Sequence, residues 1–76
     1  MAEITHMVRV TPVEDPRNEI ICERFESQSD AVRFEESLTE GEDCLLAALP
    51  FKAVTLILSE LHRGVWVDVR RRLVVI

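Results

Sequence analysis

Val65 to Ile76 is the stretch that most restricts how this chain can fold. Val65-Trp66-Val67-Asp68-Val69 alternates strictly, and Leu73 to Ile76 is apolar at every position. Period-two alternation rich in valine is the pattern of a β-strand, and an isolated strand is not stable in water. The chain must therefore build a sheet around this segment. Its middle carries Arg70-Arg71-Arg72, three consecutive cations on what reads as an ordered strand.

The rest of the charge makes that cluster stand out. Residues 1–43 hold twelve carboxylates against four arginines, a balance of −8. Residues 44–76 hold two carboxylates against five cations, a balance of +3. The chain as a whole is acidic at −5, which disfavours non-specific attraction to nucleic acid or anionic lipid. The basic strand can pair with the acidic half of the same molecule, or it can face a partner.

Seventy-six residues make a single domain, 1–76, and a chain this short buries only roughly 60% of its unfolded surface. No covalent framework compensates. Cys22 and Cys44 lie in unlike settings and form no CxxC pair, so reduced thiols are expected. A hydrophobic fraction of 47% with two glycines and three prolines argues for a folded domain. A small core with this much aliphatic surface suggests burial between chains, hence a homodimer through residues 65–76. The N-terminal residues show no basic region followed by an apolar run, and Cys44 to Leu49 is too short to span a bilayer. The expectation is a cytoplasmic protein with no membrane association. Eight arginines to one lysine and no tyrosine resemble GC-rich coding, as in a bacterium or its phage.

Ile4 to Val13 reads as a strand, with Ile4, His6, Val8 and Val10 on one face and Thr5, Met7, Arg9 and Thr11 on the other. Glu14-Asp15-Pro16-Arg17-Asn18 is a turn by its chemistry, and Glu19 to Glu26 a second extended run, so residues 4–26 form a hairpin. Ser27 is placed to cap a helix, with Asp30 in the capping-box position. Ala31, Phe34 and Leu38 then share a face, with Val32 at its edge, and Gly41 suits the position after the helix. Cys44 to Leu49 is either a short buried strand or a helical turn, since periodicity does not separate the two over so short a run.

Residues 50–63 fit a helix better than a strand. At 100° per residue Phe51, Ala53, Val54, Ile57, Leu58 and Leu61 occupy one half of the wheel, with Leu56 the one apolar residue outside it. At 180° neither face is cleanly apolar. Pro50 suits the first helical position and Gly64 the one after the last. The predicted order is β-β-α-(β)-α-β. That is a small two-layer α+β domain with a mostly antiparallel sheet of three or four strands and both helices on one face.

The candidate partner-binding residues are Trp66, Arg70 and Arg72. In an unbroken strand all three share a face with Asp68, Val74 and Ile76, opposite Arg71, Val65, Val67, Val69, Leu73 and Val75. If the valine face packs under the helices, Trp66, Arg70 and Arg72 lie on the open face of the sheet. Trp and Arg are enriched at binding hot spots, and a guanidinium can grip carboxylate or phosphate through two hydrogen bonds. The structural alternative is that these arginines pair with Asp68 and with N-terminal carboxylates on neighbouring strands. Glu35-Glu36 and Glu40 to Asp43 read more simply as a solvated helix face and loop than as a docking surface.

No catalytic or metal signature is present. His6, His62, Cys22 and Cys44 lack the short paired spacing of a zinc site. The chain has no G-x-S-x-G, no phosphate-cradling glycine loop and no H-E-x-x-H. The expectation is a non-enzyme without a cofactor: an interaction or regulatory protein acting by stoichiometric binding to a protein partner. Nucleic-acid binding, with Trp66 stacking a base and the arginines on phosphates, ranks second. A non-catalytic accessory subunit of an enzyme ranks third.

Overall fold

A computed structural model of the chain describes residues 3–40 and 45–76. The elements are β1 (His6–Pro12), β2 (Ile21–Phe25), α1 (Gln28–Thr39), a 3-10 turn at Leu45–Ala48, β3 (Ala53–His62) and β4 (Val65–Val75). The strands form one antiparallel sheet in the order β2-β1-β3-β4. One layer is this sheet. The other is α1, lying over β1 and β2, with the 3-10 turn beside it. The domain is α+β with two layers, as expected. Its second layer holds one helix rather than two.

The helix expected over 50–63 is instead β3. Its residues lie between β1 and β4, and Val54, Leu56, Ile57, Leu58 and Ser59 are all buried. Val54, Leu56 and Leu58 are buried on the α1 face and Ile57 and Ser59 on the other, so the alternation that marks a half-buried strand is missing. The apolar half-wheel arose because both faces of one strand carry large apolar side chains, Val54, Leu56 and Leu58 on one and Ile57 and Leu61 on the other. Val54, Thr55 and Ile57 carry the β-branched preference that tips this segment to the sheet. Gly64 does supply a positive φ (80°), and Arg63 has one as well (51°). Two consecutive positive φ values between paired residues His62 and Val65 mark a type I′ hairpin turn. Gly64 thus supplies left-handed backbone, as a residue following a helix would, but here it closes a hairpin.

The other elements follow their local chemistry. The Asp30 backbone N–H donates to Ser27 Oγ (3.3 Å) at the start of α1. Glu40 ends the helix, its N–H donating to the Glu36 carbonyl. Gly41 and Cys44 lie outside the described residues. Leu45–Ala48 resolves the ambiguous run as a helical turn, from which Leu46 enters the core.

The core lies between α1 and one face of the sheet. Val8 and Val10 from β1, Val54, Leu56 and Leu58 from β3, Ala31 and Leu38 from α1, and Leu46 make it up. Phe25 and Phe34 close one side, their rings tilted at 43° with centroids 5.2 Å apart.

The turn gives a direct check on β3. Arg63→Asn places the preferred Asn-Gly pair in the turn and should raise stability by about 0.5 kcal/mol in urea unfolding, whereas Gly64→Ala should lower it by about 1 kcal/mol. Nothing lies within 4 Å of a Cβ added at Gly64, so the loss is one of backbone strain alone.

Candidate interaction edge on β4

β3 and β4 pair from His62↔Val65 to Ala53↔Val75, but the register shifts between Leu58 and Ser59. Leu58 pairs with Arg70 and Ser59 with Asp68, so Val69 is an extra residue: a β-bulge. A bulge reverses the alternation beyond it. Arg70, Arg72 and Val74 pair with the core residues Leu58, Leu56 and Val54, which places them on the α1 side. Trp66 and Asp68 pair with Leu61 and Ser59, which lie on the face away from α1, together with Arg71, Leu73 and Val75.

This corrects the expectation that Trp66, Arg70 and Arg72 share the open face. The bulge divides them, with Trp66 on one side and the two arginines on the other. Nothing in the sequence marks Val69 as the extra residue, because the side-chain pattern reads plausibly in either register.

Each arginine of the triplet has its own surroundings. Arg70 forms an ion pair with Glu35, whose side chain is 3% exposed. Glu35 is thus a buried residue of α1 rather than part of a solvated acidic face. Arg72 Nη2 lies 3.5 Å from Thr39 Oγ1 at the last turn of α1, and no carboxylate pairs with Arg72 among the described residues. Arg71, on the open face and 67% exposed, donates to Asp68 Oδ2 at 3.0 Å. Internal pairing therefore holds for Arg71, with Asp68, and for Arg70, whose carboxylate comes from α1 and not from a neighbouring strand.

Asp68 is the hub of the open face. It accepts from Ser59 Oγ (2.7 Å) and from Arg9 Nη2 (2.5 Å), so Arg9 reaches from β1 across β3 to β4. Arg9 also lies 3.4 Å from Glu19, and its buried Nε has no hydrogen-bond partner among the described residues. The Ser59 hydroxyl, then the Arg71 and Arg9 guanidiniums, hold the Asp68 carboxyl below its usual value of 3.8. A second cluster lies near the hairpin end. Glu60 accepts from His62 Nε2 (2.9 Å), and His6 Nε2 is 3.5 Å away. The His62 hydrogen bond is the main reason the Glu60 carboxyl is lowered.

The outer side of β4 is open. Leu61 N–H donates to the Thr5 carbonyl and Val13 N–H to the Ala53 carbonyl, so the odd-numbered residues of β3 bond towards β1. The even-numbered ones, from Val54 to His62, bond towards β4. Their partners Val65, Val67, Arg70, Arg72 and Val74 direct their backbone groups inward. Trp66, Asp68, Arg71, Leu73 and Val75 direct theirs outward, to an edge that no other strand among the described residues covers. Leu73 and Val75 are 63% and 77% exposed, and Val65, Val67 and Val69 are exposed as well.

Other features offer less chemistry. A shallow cleft of about 430 Å³ is lined by Val13, Glu14, Pro50, Lys52 and Ala53. Among the described residues no group of three or more His, Cys, Asp or Glu side chains is arranged to hold a metal ion. Cys22 is exposed on β2, its Sγ 3.7 Å from Met7 Sδ. No helix among the described residues is long and apolar enough to cross a membrane. Comparison with known protein families, curated proteins and solved structures finds no match to this chain.

Two measurements test these assignments. Arg70→Ala leaves Glu35 buried without its cation and should cost about 2 kcal/mol in urea unfolding, while Arg72→Ala should cost under about 0.5 kcal/mol. Because the folded Asp68 carboxyl is lowered, its contribution is fully present above pH 3.8 and is lost as pH falls through its folded value. Asp68→Asn should flatten that part of the acid-unfolding curve and leave the rest in place.

Proposed function

We propose that this chain acts by stoichiometric binding, and that the outer edge of β4 is its docking strand for an extended segment of a protein partner. The observation that carries this reading is an eleven-residue edge strand with outward-facing backbone groups and exposed valine and leucine side chains. Long, exposed, apolar edges are normally shortened or covered, because they template pairing with another chain. Retaining one in a small domain is understandable if pairing is its use.

Strand addition divides the work in two. Main-chain hydrogen bonds to Trp66, Asp68, Arg71, Leu73 and Val75 supply affinity, and side chains alternating on either face supply selectivity. On the open face Trp66 and Leu73 would offer apolar contact and Arg71 a charge. On the α1 side Arg72 would offer its guanidinium to a carboxylate, while Arg70, already bound to Glu35, would hold the strand against the helix. The compartment proposed is the cytoplasm. Nucleic-acid binding is less well supported, since the bulge separates the single tryptophan from Arg70 and Arg72, and the flat face around Trp66 includes Asp68.

Leu73→Pro provides the test. The Leu73 N–H points outward, so proline there removes a docking donor without removing a bond to β3. A tagged wild type should capture a nuclease-resistant protein from lysate, and a folded Leu73→Pro variant should retain less than about a tenth of it. Equal capture by the two would place the binding surface elsewhere.

A further inference from the structure

We infer that the occupant of the β4 edge is the β4 edge of a second copy, paired antiparallel in a single register. This rests on the reading of β4 as a docking strand and names its partner.

The bulge and the charges together select the register. An antiparallel pairing must bring outward-facing residues opposite outward-facing residues. On β4 these are Trp66 and Asp68 before the bulge and Arg71, Leu73 and Val75 after it. Setting the two-fold axis between Val69 and Arg70 puts Asp68 opposite Arg71 of the second copy and Trp66 opposite its Leu73. By symmetry each contact occurs twice. Every outward residue from Trp66 to Leu73 then has an outward residue across from it, on the same face of the joined sheet. On the α1 side Val65 faces Val74 of the second copy and Val67 faces its Arg72.

This match exists only because of Val69. Asp68 and Arg71 are three apart, and in a regular strand they would lie on opposite faces. The extra residue brings both to the open face, where they already touch within one chain at 3.0 Å. Across the two-fold axis the same groups form an alternating set of two carboxylates and two guanidiniums.

Other registers are poorer. With the axis on Arg71 the two arginine triplets lie opposite each other, and like charges directly across a ladder are destabilising. With the axis on Leu73 the pairing covers only residues 70–76 and leaves the outward groups of Trp66 and Asp68 unbonded. The arginines and the bulge, which ordinarily guard an edge against pairing, here permit one arrangement and penalise the rest. Strand pairing of this length is small beside the about 1,200–2,000 Å² of stable interfaces, so micromolar association is expected.

The test is sedimentation equilibrium up to about 100 µM, joined to a spin-label distance. Wild type should be dimeric at the upper end. Arg71→Asp, which sets an aspartate opposite Asp68, should weaken association at least about tenfold, and Leu73→Pro should abolish it, each with circular dichroism showing a folded domain. In a Cys22→Ser/Cys44→Ser background, a label at Val75→Cys should report about 35 Å between copies, because residue 75 lies across from residue 64. The Leu73-centred register would give about 13 Å and the Arg71-centred one about 26 Å, and either would overturn the proposed pairing. A dimer indifferent to both edge substitutions would overturn it too. A monomer that still captures a partner through β4 would refute the second copy alone. A monomer that captures nothing would refute the docking strand as well.

Discussion

Everything in this domain is organised around β3 being hydrogen-bonded on both edges and buried on both faces. Its even-numbered residues bond to β4 and give the core Val54, Leu56 and Leu58, and its odd-numbered residues bond to β1 and bring Ile57 and Ser59 to the other face. Without β3 the β1–β2 pair and β4 have no common neighbour, since β1 and β4 do not touch in the strand order. Even the polar link between them, from Arg9 to Asp68, runs over Ser59 in the middle of β3. Burial of a hydroxyl there is tolerated because it donates to Asp68 and accepts from Arg9.

The uneven charge of the chain acquires a meaning from this arrangement. The acidic half supplies β1, β2 and α1, and the basic half supplies β4, which lies at the far edge from β2. Ion pairs join the halves on both faces of the sheet, among them Arg9 to Asp68 on one face and Glu35 to Arg70 on the other. The Glu35–Arg70 pair differs from most surface ion pairs in that one partner is almost wholly buried, so the carboxylate depends on its cation. Arg71 makes a more exposed pair, and Arg72 remains the member of the triplet without an acidic partner among the described residues.

Much of the architecture was legible in the sequence where local chemistry decides the outcome. The alternation of β1, the Ser27 cap of α1, the α1 core residues and the β-character of Val65 to Val75 all followed from residues a few positions apart. Residues 50–63 depart from the helical expectation for a definable reason: a strand with apolar residues on both faces loses its period, and the same residues fill half a helical wheel by coincidence. The placement of the three candidate residues on one face departs from the expectation for a different reason. Trp66, Arg70 and Arg72 were grouped by counting in twos, and a bulge is a fact about the partner strand, visible only once Ser59 and Leu58 are known to pair with Asp68 and Arg70. Glu35 was likewise hidden, because its burial is set by an arginine thirty-five residues away.

The Arg63-Gly64 turn also has a bearing on the order in which the chain acquires its structure. The hairpin it closes joins neighbouring segments, whereas pairing β1 with β3 brings together Met7 and Ser59, or Val10 and Leu56, across a long loop. Closing a short loop costs less chain entropy, and hairpins form in microseconds, so the β3–β4 ribbon is the natural template on which the rest assembles. During synthesis, however, β1, β2 and α1 leave the ribosome before that template does. Val8, Val10 and Leu38 are therefore made before Val54, Leu56 and Leu58, the β3 residues that complete their shared core.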